Sequence, residues 1–289
     1  QISKKLGYPI NCIAIPKTVD NDLAETDCCP GFGSAAKYIA TSTMEASLDV
    51  ASMSETSTKV FILEVMGRHA GWLAASSGIV KGKNNNSPQI ILFPERKFNK
   101  KAFIKKTKES VEHDGFCVIV VSEGIKDKNG DFISSSSTKD SFGHAHLGGV
   151  APVLANMVSE SLGYKVHWSV ADYLQRASRH IGSKADVQQA YDVGVQSVKF
   201  LITGISDVMV TVEKRRKDGS WSTGKIPLGK VANREKKLPS HFIGRDGFSI
   251  TNACSKYIQS LINGESFPPY INGIPNYSKL KLKTIKKLK

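Results

Sequence analysis

The sequence predicts an α/β fold built on a mostly parallel sheet that is covered by helices. Short apolar runs of β character alternate along the chain with segments of helical period. The apolar runs are continuous, without alternating polar residues, which is typical of strands buried on both faces. Strands of that kind, joined through helices, indicate parallel pairing with helices on each side of the sheet.

Four apolar runs predict the buried strands. They cover residues 10–15, 59–65, 89–93 and 117–124. Ligands of parallel α/β sheets bind outside the carboxyl ends of the strands, so the residues that follow these runs are the first candidates for a functional site. We expect the four strand ends to be neighbours in the sheet, and they carry five charged side chains: Asp20, Asp22, Arg68, Glu95 and Glu123.

Segments with helical periodicity lie between and after these runs. The first follows the chain-breaking pair Pro30-Gly31, and the last begins after Ser183, whose side chain suits an N-cap. The predicted helices cover residues 33–53, 69–80, 100–113, 148–162 and 184–202.

The pattern changes after about residue 205. Residues 208–228 have two strand-like halves around Asp218-Gly219, which predicts a hairpin. Residues 248–264 predict one more helix, ended by Gly264. The polar segment 134–146 predicts a surface loop or a lid.

The composition is that of an ordinary globular protein, and its 289 residues suffice for one large or two medium domains. No apolar run approaches the ~20 residues that a membrane span requires, so no membrane partner is expected. Five cysteines fit neither a disulfide framework nor a zinc-site spacing, which favours a reducing cytoplasm as the location.

The net charge is +14, from 40 Lys+Arg against 26 Asp+Glu. This excess fits either nucleic-acid binding or an enzyme for highly anionic substrates. Much of it lies in residues 95–108 and 279–289, where lysines also suit a solvated helix face and a frayed tail. The sequence contains no motif that reads nucleic acid, so no nucleic-acid partner is expected.

The heptapeptide PKTVDND, residues 16–22, places Lys17 beside Asp20 and Asp22 after the first predicted strand. Pro16 keeps the residue before it extended, so the strand reaches the motif and then stops. If the backbone stays extended, the two carboxylates share a face and suit a general base with a second carboxylate near a metal or water. A turn with a helix cap explains these residues equally well. Lys17 favours the functional interpretation, because a lysine beside carboxylates suits a polyanionic ligand.

The segment EVMGRHAGWLA, residues 64–74, is a second candidate. Gly67 lets the backbone approach a ligand, and Arg68 offers a planar guanidinium. A helix is predicted to begin at His69, and the N–H groups of a helix start suit an anion. The alternative is a strand–helix turn that carries a surface arginine.

The segment VADYLQRASRH, residues 170–180, places Tyr173 and Arg176 three residues apart, on one side of a helix. Arg179 and His180 complete a basic cluster, for which a solvated helix end is the alternative interpretation.

Together, PKTVDND, EVMGRHAGWLA, VSEG and YLQR, in this order and spacing, resemble the phosphofructokinase family over essentially the whole chain. The segments VANREKKLPSHFIGRDGFSIT and PPYINGIP resemble the pyrophosphate-dependent bacterial branch of that family. Lys17 agrees with this branch, because ATP-dependent bacterial members typically carry glycine at that position.

The resemblance implies reversible transfer of phosphate from pyrophosphate to the 1-hydroxyl of fructose 6-phosphate, a glycolytic step, with Mg²⁺ as cofactor. Asp20 would be the base that takes the hydroxyl proton, Lys17 would lie against pyrophosphate, and Arg68 would hold the phosphoryl group in transfer. The residues implied in substrate binding are Thr18, Asp20, Asp22, Met66, Gly67, Arg68, Glu123, Tyr173 and Arg176. Phosphoryl transfer indeed requires cations around a spread negative charge and a carboxylate on the attacking hydroxyl.

Two positions depart from the family pattern. In bacterial ATP-dependent relatives, two arginines from a neighbouring subunit help to bind the sugar phosphate, and in this chain Lys59 and His167 stand at those positions. Lysine lacks the guanidinium fork, and the charge of histidine depends on pH. The resemblance still implies a homo-oligomer, a dimer or tetramer, with these residues at the subunit interface.

A glycine-rich phosphate loop and a GGD-type loop, whose aspartate holds Mg²⁺, are typical of the family and are not in this sequence. We therefore expect the chain to be a C-terminal portion of a longer protein, with no metal ligand of its own.

The resemblance implies two interleaved parallel-sheet domains, the N-terminal one incomplete. Residues 1–32 and 175–262 would belong to the phosphoryl-donor side, residues 33–174 to the sugar-phosphate side, and residues 263–289 to a C-terminal segment with a basic tail.

Two alternative functions stay open at this point. One is an ATP-dependent 6-phosphofructokinase, against which Lys17 argues. The other is a non-catalytic regulatory subunit or ligand-binding homologue, against which the presence of Asp20, Asp22 and Arg68 argues.

Overall fold

The computed structural model describes residues 5–8, 10–82, 85–139, 145–147, 149–215 and 220–285. The strands of this part of the chain are β1 (Ile13–Ala14), β2 (Val60–Val65), β3 (Ile90–Leu92), β4 (Cys117–Ser122), β5 (Ser135–Lys139), β6 (Ala145–Leu147), β7 (Val166–Val170), β8 (Val208–Lys214), β9 (Trp221–Pro227), β10 (Tyr270–Ile271) and β11 (Ile274–Pro275). The α-helices are α1 (Phe32–Met53), α2 (Trp72–Ser76), α3 (Lys100–Asp114), α4 (Val150–Leu162), α5 (Leu174–Ala177), α6 (Lys184–Ile202), α7 (Leu228–Val231) and α8 (Asn252–Leu261).

The larger sheet has four parallel strands in the order β3-β4-β2-β7. Strands β2, β3 and β4 confirm three of the predicted apolar runs. Strand β7 was not predicted, because His167 and Ser169 interrupt its apolar residues and four of its five residues are exposed at the sheet edge. An edge strand lacks the two-sided burial that makes a continuous apolar run recognisable.

The smaller sheet has the order β1-β8-β9, in which β1 and β8 are parallel and β8 and β9 are antiparallel. The predicted hairpin is confirmed in its two strands, and its expected turn at Asp218-Gly219 lies outside the described residues. The first predicted strand, residues 10–15, is reduced to Ile13 and Ala14. It belongs to this second sheet, so the expectation of four neighbouring strand ends in one sheet was wrong.

Most predicted helices are confirmed within one or two residues. Side chains of Asn99, Ser183 and Thr251 accept a backbone N–H at the starts of α3, α6 and α8, which confirms Ser183 as an N-cap. The predicted helix over 69–80 is wrong at its start: α2 begins at Trp72 and passes into a 3₁₀ turn at Ser77–Val80. The predicted helix over 248–264 is too long: α8 covers Asn252–Leu261 after its N-cap Thr251, and Gly264 beyond its end adopts a positive φ of 74°.

The segment predicted as a structureless loop or lid contains an antiparallel pair instead. Strands β5 and β6 pair with each other, and residues 140–144 between them lie outside the described part.

Two apolar clusters cover the two faces of the larger sheet. Leu63 and Val65 of β2 pack with α1, α2 and residues of the smaller sheet such as Val210, whereas Ile62 packs on the opposite face with Phe103 of α3. Alternate residues of β2 therefore face opposite clusters, which explains its continuous apolar run. Helix α1 is part of the cluster that joins the two sheets. Within the described residues, none of the helices is long and apolar enough to cross a membrane.

Candidate active site at the strand ends

The loop that follows β1 carries Asp20 and Asp22 with a turn between them. Asn21 adopts a left-handed conformation with φ of 56°, so the backbone is not extended. The condition for a shared face of the two carboxylates is not met, and the alternative of a turn applies. The Asn21 side chain is fully buried: Nδ2 donates to the Tyr257 hydroxyl at 2.8 Å, and Oδ1 accepts from the Cys29 N–H at 3.0 Å. The loop is thus anchored at the residue between its carboxylates.

Asp20 is a carboxylate with a raised pKa. Burial is the largest cause of the raised pKa, and the negative charge of Asp22 adds to it. The Thr18 hydroxyl, which lies 3.4 Å from Asp20 Oδ2, and the cations Lys17 and Arg176 act in the opposite direction. A half-buried carboxylate flanked by two cations suits proton abstraction beside an anionic ligand.

Asp22 has different neighbours from Asp20. Burial raises its pKa and Glu235 adds to this, while Lys236 and His69 lower it. Its carbonyl oxygen accepts a hydrogen bond from the Lys236 N–H at 2.6 Å. The two carboxylates repel each other, but their other charged neighbours differ: Lys17 and Arg176 for Asp20, and Glu235, Lys236 and His69 for Asp22.

Close packing requires a glycine at position 67, directly after Met66 and just beyond the end of β2. Its φ is 136°, and a Cβ at this position would lie 2.5 Å from Ser122 Oγ and 2.6 Å from the Ala70 carbonyl oxygen. Its N–H donates to Glu123 Oε1 at 3.2 Å, and its carbonyl accepts from Ser122 Oγ and from the Gly124 N–H. The ends of β2 and β4 are thereby joined through one glycine.

Glu123 completes this group of charges. Burial raises its pKa, and the charges of Asp20 and Glu64 add to this, whereas the Gly67 N–H and Arg68 lower it. Glu123 therefore lies within electrostatic reach of both Asp20 and Arg68, although the three residues come from three separate motifs and two sheets.

The expected anion site at a helix start after Gly67 is wrong. Helix α2 begins three residues after His69, and its N-cap Gly71 donates its N–H to Glu95 Oε1 at 3.0 Å. The backbone N–H groups of Gly67 and Gly71 are thus taken by two carboxylates of the protein. Glu95, a candidate from its strand-end position, also accepts from the Leu238 N–H at 2.8 Å and joins three segments.

Tyr173 and Arg176 are close together, as predicted. The Arg176 guanidinium lies 4.0 Å from the centroid of the Tyr173 ring, and both side chains are exposed. Arg179 is not part of this pair, because its guanidinium binds the carbonyl and hydroxyl oxygens of Ser266. Between the pair, Gln175 is buried and its Oε1 accepts from the Met66 N–H at 3.3 Å.

Lys59 and His167 lie away from these groups, near the amino ends of their strands. His167 pairs with Phe61 in the register of β2 and β7, and Lys59 precedes β2. Both are thus separated from Gly67 by the length of β2. His167 is exposed on the edge strand of the larger sheet.

A small cavity opens beside Arg68. Two lysines, Lys126 and Lys237, line it together with His69, whose Nδ1 lies 2.6 Å from Glu235 Oε1. The cavity is therefore bordered by three residues of fixed positive charge.

Three polar residues of this region were missed by the sequence analysis: Asn21, Gln175 and Lys236. Asn21 and Gln175 stand inside motifs that were recognised, so their position was a signal that could have been used. Lys236 stands in REKKLPS, a lysine-rich segment that is typical of an exposed loop, and its burial depends on a tertiary contact.

Among the described residues, no group of three or more His, Cys, Asp or Glu side chains could hold a metal ion.

The chain matches the family model for phosphofructokinase over residues 1–201. This match covers more than half of the chain, so the chain belongs to the phosphofructokinase family, which confirms the resemblance and the α/β fold class.

Two similar curated proteins carry the same name. The pyrophosphate–fructose 6-phosphate 1-phosphotransferase of Methylococcus capsulatus is 54% identical over 279 residues, which are 96% of this chain and 66% of that protein. The protein of the same name from Halomonas elongata is 53% identical over 97% of this chain and 67% of its own length.

A solved structure gives the same result. The crystal structure of pyrophosphate-dependent phosphofructokinase from Nitrosospira multiformis superimposes with a TM-score of 0.91 at 53% identity, covering 100% of this chain and 70% of that one. The chain thus spans about two thirds of the length of the relatives it matches.

Proposed function

We propose that the protein to which this chain belongs transfers phosphate between pyrophosphate and the 1-hydroxyl of fructose 6-phosphate. The observation that carries the proposal is the position of Asp20, a carboxylate whose charge interacts with Lys17, Arg176 and Glu123. Relatives at 52–54% identity whose names specify this reaction support the choice of substrates.

In this proposal Asp20 accepts the proton of the 1-hydroxyl as the hydroxyl oxygen attacks the phosphorus. Its raised pKa makes the carboxylate a better proton acceptor than an exposed aspartate, while Lys17 and Arg176 keep the ionised form accessible. Thr18 fixes Asp20 through its hydroxyl oxygen, which accepts the Asp20 N–H at 3.1 Å. Asp22 belongs to the same loop.

Arg68 and Lys17 would stabilise the negative charge that spreads over the phosphoryl group and pyrophosphate. Phosphoryl transfer depends mainly on positioning and on such charge stabilisation. The cations beside Arg68, namely Lys126 and Lys237, make the surrounding cavity favourable for anions.

Glu123 would bind sugar hydroxyls, Met66 and Gly67 would lie against the sugar, and Arg176 would bind its 6-phosphate. A guanidinium suits a terminal phosphate because it donates in a planar fork. Tyr173 supports that guanidinium through its ring.

The proposal includes a homo-oligomer with Lys59 and His167 at the subunit interface. The uncovered edge strand β7 supports it, because Trp168 and Val170 are large apolar residues exposed at 48% and 37% next to His167. Edges with exposed apolar residues favour association.

The predicted domain division is supported by the sheets. Strands β2, β3, β4 and β7 all fall in residues 33–174, the proposed sugar-phosphate side. Strands β1, β8 and β9 fall in residues 1–32 and 175–262, the proposed donor side. Asp20 thus comes from one unit and Arg68 and Glu123 from the other, so substrates would react between them.

Mg²⁺ enters the proposal from the family resemblance alone. This ion is usually bound by one or two carboxylates together with substrate phosphates, so it would act with ligands beyond those that the described residues supply. The cytoplasmic location likewise stays a prediction.

The test is an assay of the full-length protein with fructose 6-phosphate and pyrophosphate, in which fructose 1,6-bisphosphate and phosphate are both quantified. One molecule of each product per turnover is expected. Hydrolysis of pyrophosphate without sugar phosphorylation, or no turnover, would reject the proposed function.

A further inference from the structure

Lys236 contacts the loop that carries Asp20 and Asp22, and it stands in a segment to which the proposed reaction assigns no role. We propose that Lys236 is a positioning residue for this reaction, one that holds the loop carrying Asp20 against the segment that follows Arg68. The inference rests on the proposed function and extends it to a residue outside the four sequence motifs.

The ammonium group of Lys236 is bound on three sides by a single loop. Nζ donates to the carbonyl oxygen of Thr26 at 2.8 Å, to that of Asp27 at 3.1 Å and to Asn21 Oδ1 at 3.3 Å. An ammonium has three N–H donors, so these three acceptors use its full capacity. The head group is therefore committed to residues 21–27.

The backbone of Lys236 connects the same loop to the segment after Arg68. Its N–H donates to the Asp22 carbonyl at 2.6 Å, and its carbonyl accepts from Trp72 Nε1 at 3.0 Å. Nζ also lies 5.1 Å from the centroid of the Trp72 ring, within the range of a cation–π contact. One residue thus contacts both the loop of Asp20 and the start of α2, four residues after Arg68.

The residues on either side of Lys236 strengthen this connection. Glu235 Oε1 lies 2.6 Å from His69 Nδ1, and the Leu238 N–H donates to the same Glu95 oxygen that accepts from the Gly71 N–H. Residues 235–238 therefore bind the segment after β2 at several points and fix its distance from the loop of Asp20.

The Asn21 contact gives Lys236 an influence on both carboxylates. Asn21 stands between Asp20 and Asp22 in a left-handed conformation, and such a conformation persists only where the surroundings hold it. Without the ammonium, the Thr26 and Asp27 carbonyls and Asn21 Oδ1 lose a charged donor, and the loop keeps only the bonds of Asn21 to Tyr257 and Cys29 as anchors at this point. Burial lowers the pKa of Lys236, as expected for a lysine enclosed in this way.

A purely structural lysine and a positioning lysine predict different kinetics. Loss of a structural lysine lowers stability but leaves the turnover of the folded molecules unchanged. Loss of a positioning lysine displaces Asp20 from the attacking hydroxyl, and a displacement of ~1 Å costs about 100-fold in rate. The latter effect falls on kcat rather than on KM, because Asp20 acts in the transition state.

The experiment compares Lys236→Met, Lys236→Gln and Lys236→Arg in the full-length protein with Lys256→Met, a matched change at an exposed lysine of α8. We expect Lys236→Met to lower kcat about 10- to 100-fold while the KM of fructose 6-phosphate changes less than about threefold. Lys236→Arg should recover part of kcat, and Lys256→Met should match the wild type. Unchanged kcat in Lys236→Met, or failure of all three Lys236 variants to fold, would overturn the inference.

Amide hydrogen exchange gives a readout that is independent of activity. In Lys236→Met, residues 16–27 should exchange at least about tenfold faster, with residues 100–114 as the unaffected reference. If the wild type does not use pyrophosphate, the proposed function fails, and the exchange rates still decide whether Lys236 holds the loop. Equal exchange of residues 16–27 in variant and wild type would overturn the inference by itself.

Discussion

The N–H of Gly67 donates a hydrogen bond to Glu123 Oε1 across 3.2 Å. This bond joins two motifs that are 56 positions apart in the sequence, at the ends of strands that are paired through Val65 and Ser122. The Glu123 carboxylate is thereby held near Arg68. Asp20, in the loop after the strand β1 of the smaller sheet, interacts electrostatically with Glu123. The geometry of the proposed site therefore depends on close contacts between strand ends.

Replacement of Asp20 tests the proposed base. Asp20→Asn in the full-length protein should lower kcat about 10²–10⁴-fold, because the amide cannot accept the hydroxyl proton. Fructose 6-phosphate binding, measured by calorimetry, should change little, since a base acts in the transition state. Asp49→Asn, at an exposed position of α1, is the matched control. Near-normal kcat in Asp20→Asn would remove Asp20 from the role of base.

The raised pKa of Asp20 also predicts a pH dependence of stability. A carboxyl group whose pKa is higher in the folded than in the unfolded state stabilises the fold below the unfolded-state pKa, and this contribution is lost as the pH rises through the folded-state pKa. Asp20→Asn should therefore unfold at a higher temperature than the wild type at pH 7. The difference in Tm should shrink as the pH falls through the pKa of Asp20. If the difference in Tm between variant and wild type is the same at pH 4 and pH 7, burial does not destabilise the ionised carboxylate of Asp20.

Gly124 is expected to tolerate no side chain. A Cβ at this position would lie 1.9 Å from the Arg68 carbonyl oxygen and 2.4 Å from its carbonyl carbon, so the backbone of Arg68 must shift. Gly124→Ala should lower the free energy of unfolding by about 1–3 kcal/mol and reduce turnover. Gly194→Ala, within α6 and with no atom within 4 Å of the added Cβ, should be neutral or more stable by about 0.5–1 kcal/mol. Equal stabilities of the two variants in urea would refute this packing argument.

Arg176 should govern substrate binding more than turnover. Arg176→Met removes a charge-assisted contact to the proposed 6-phosphate, so the KM of fructose 6-phosphate should rise by roughly 10- to 100-fold, which corresponds to about 1.5–3 kcal/mol. The exposed Arg245→Met serves as the control. Steady-state kinetics with varied sugar phosphate measure the change, and an unaltered KM would place the 6-phosphate elsewhere.

Several parts of this fold could be predicted because the local signal and the tertiary environment agree. Strands β2 and β4 are apolar throughout since both faces are covered, and α1 and α6 have clear periodicity and terminal signals. Strand β7 was not predicted, because it lies at the edge of its sheet and its exposed residues do not form a continuous apolar run. The separation of β1 from the larger sheet was implied only by the family resemblance. It did not follow from the apolar run itself, since strand order depends on long-range contacts that a run of six residues does not encode.

The proposed site was predictable in its residues but not in its geometry. Lys17, Asp20 and Arg68 were recognised from motifs, and their roles stay predictions. The electrostatic interactions of Asp20 with Glu123 and Arg176 are compatible with those roles. The turn at Asn21 was one of two alternatives left open, because an asparagine between two aspartates is equally compatible with a turn and with extended backbone. Lys236 was missed since its burial follows from contacts with residues more than 200 positions away.

Lys17 most directly connects the site to one phosphoryl donor. Pyrophosphate has no nucleoside through which to be held, so its binding relies on cations and N–H donors around its few oxygens. Lys17→Gly in the full-length protein should weaken kcat/KM for pyrophosphate by about 2 kcal/mol, or roughly 30-fold, the scale of a lost charge-assisted contact. Use of ATP should fall less. An unchanged kcat/KM for pyrophosphate in this variant would exclude Lys17 from the donor site.

The measurement that tests the central claim is kcat/KM of the wild-type, full-length protein for pyrophosphate and for ATP, with saturating fructose 6-phosphate and Mg²⁺. The proposed function predicts formation of fructose 1,6-bisphosphate with pyrophosphate at a kcat/KM well above that with ATP. A preference for ATP, or no sugar phosphorylation with pyrophosphate, would contradict it.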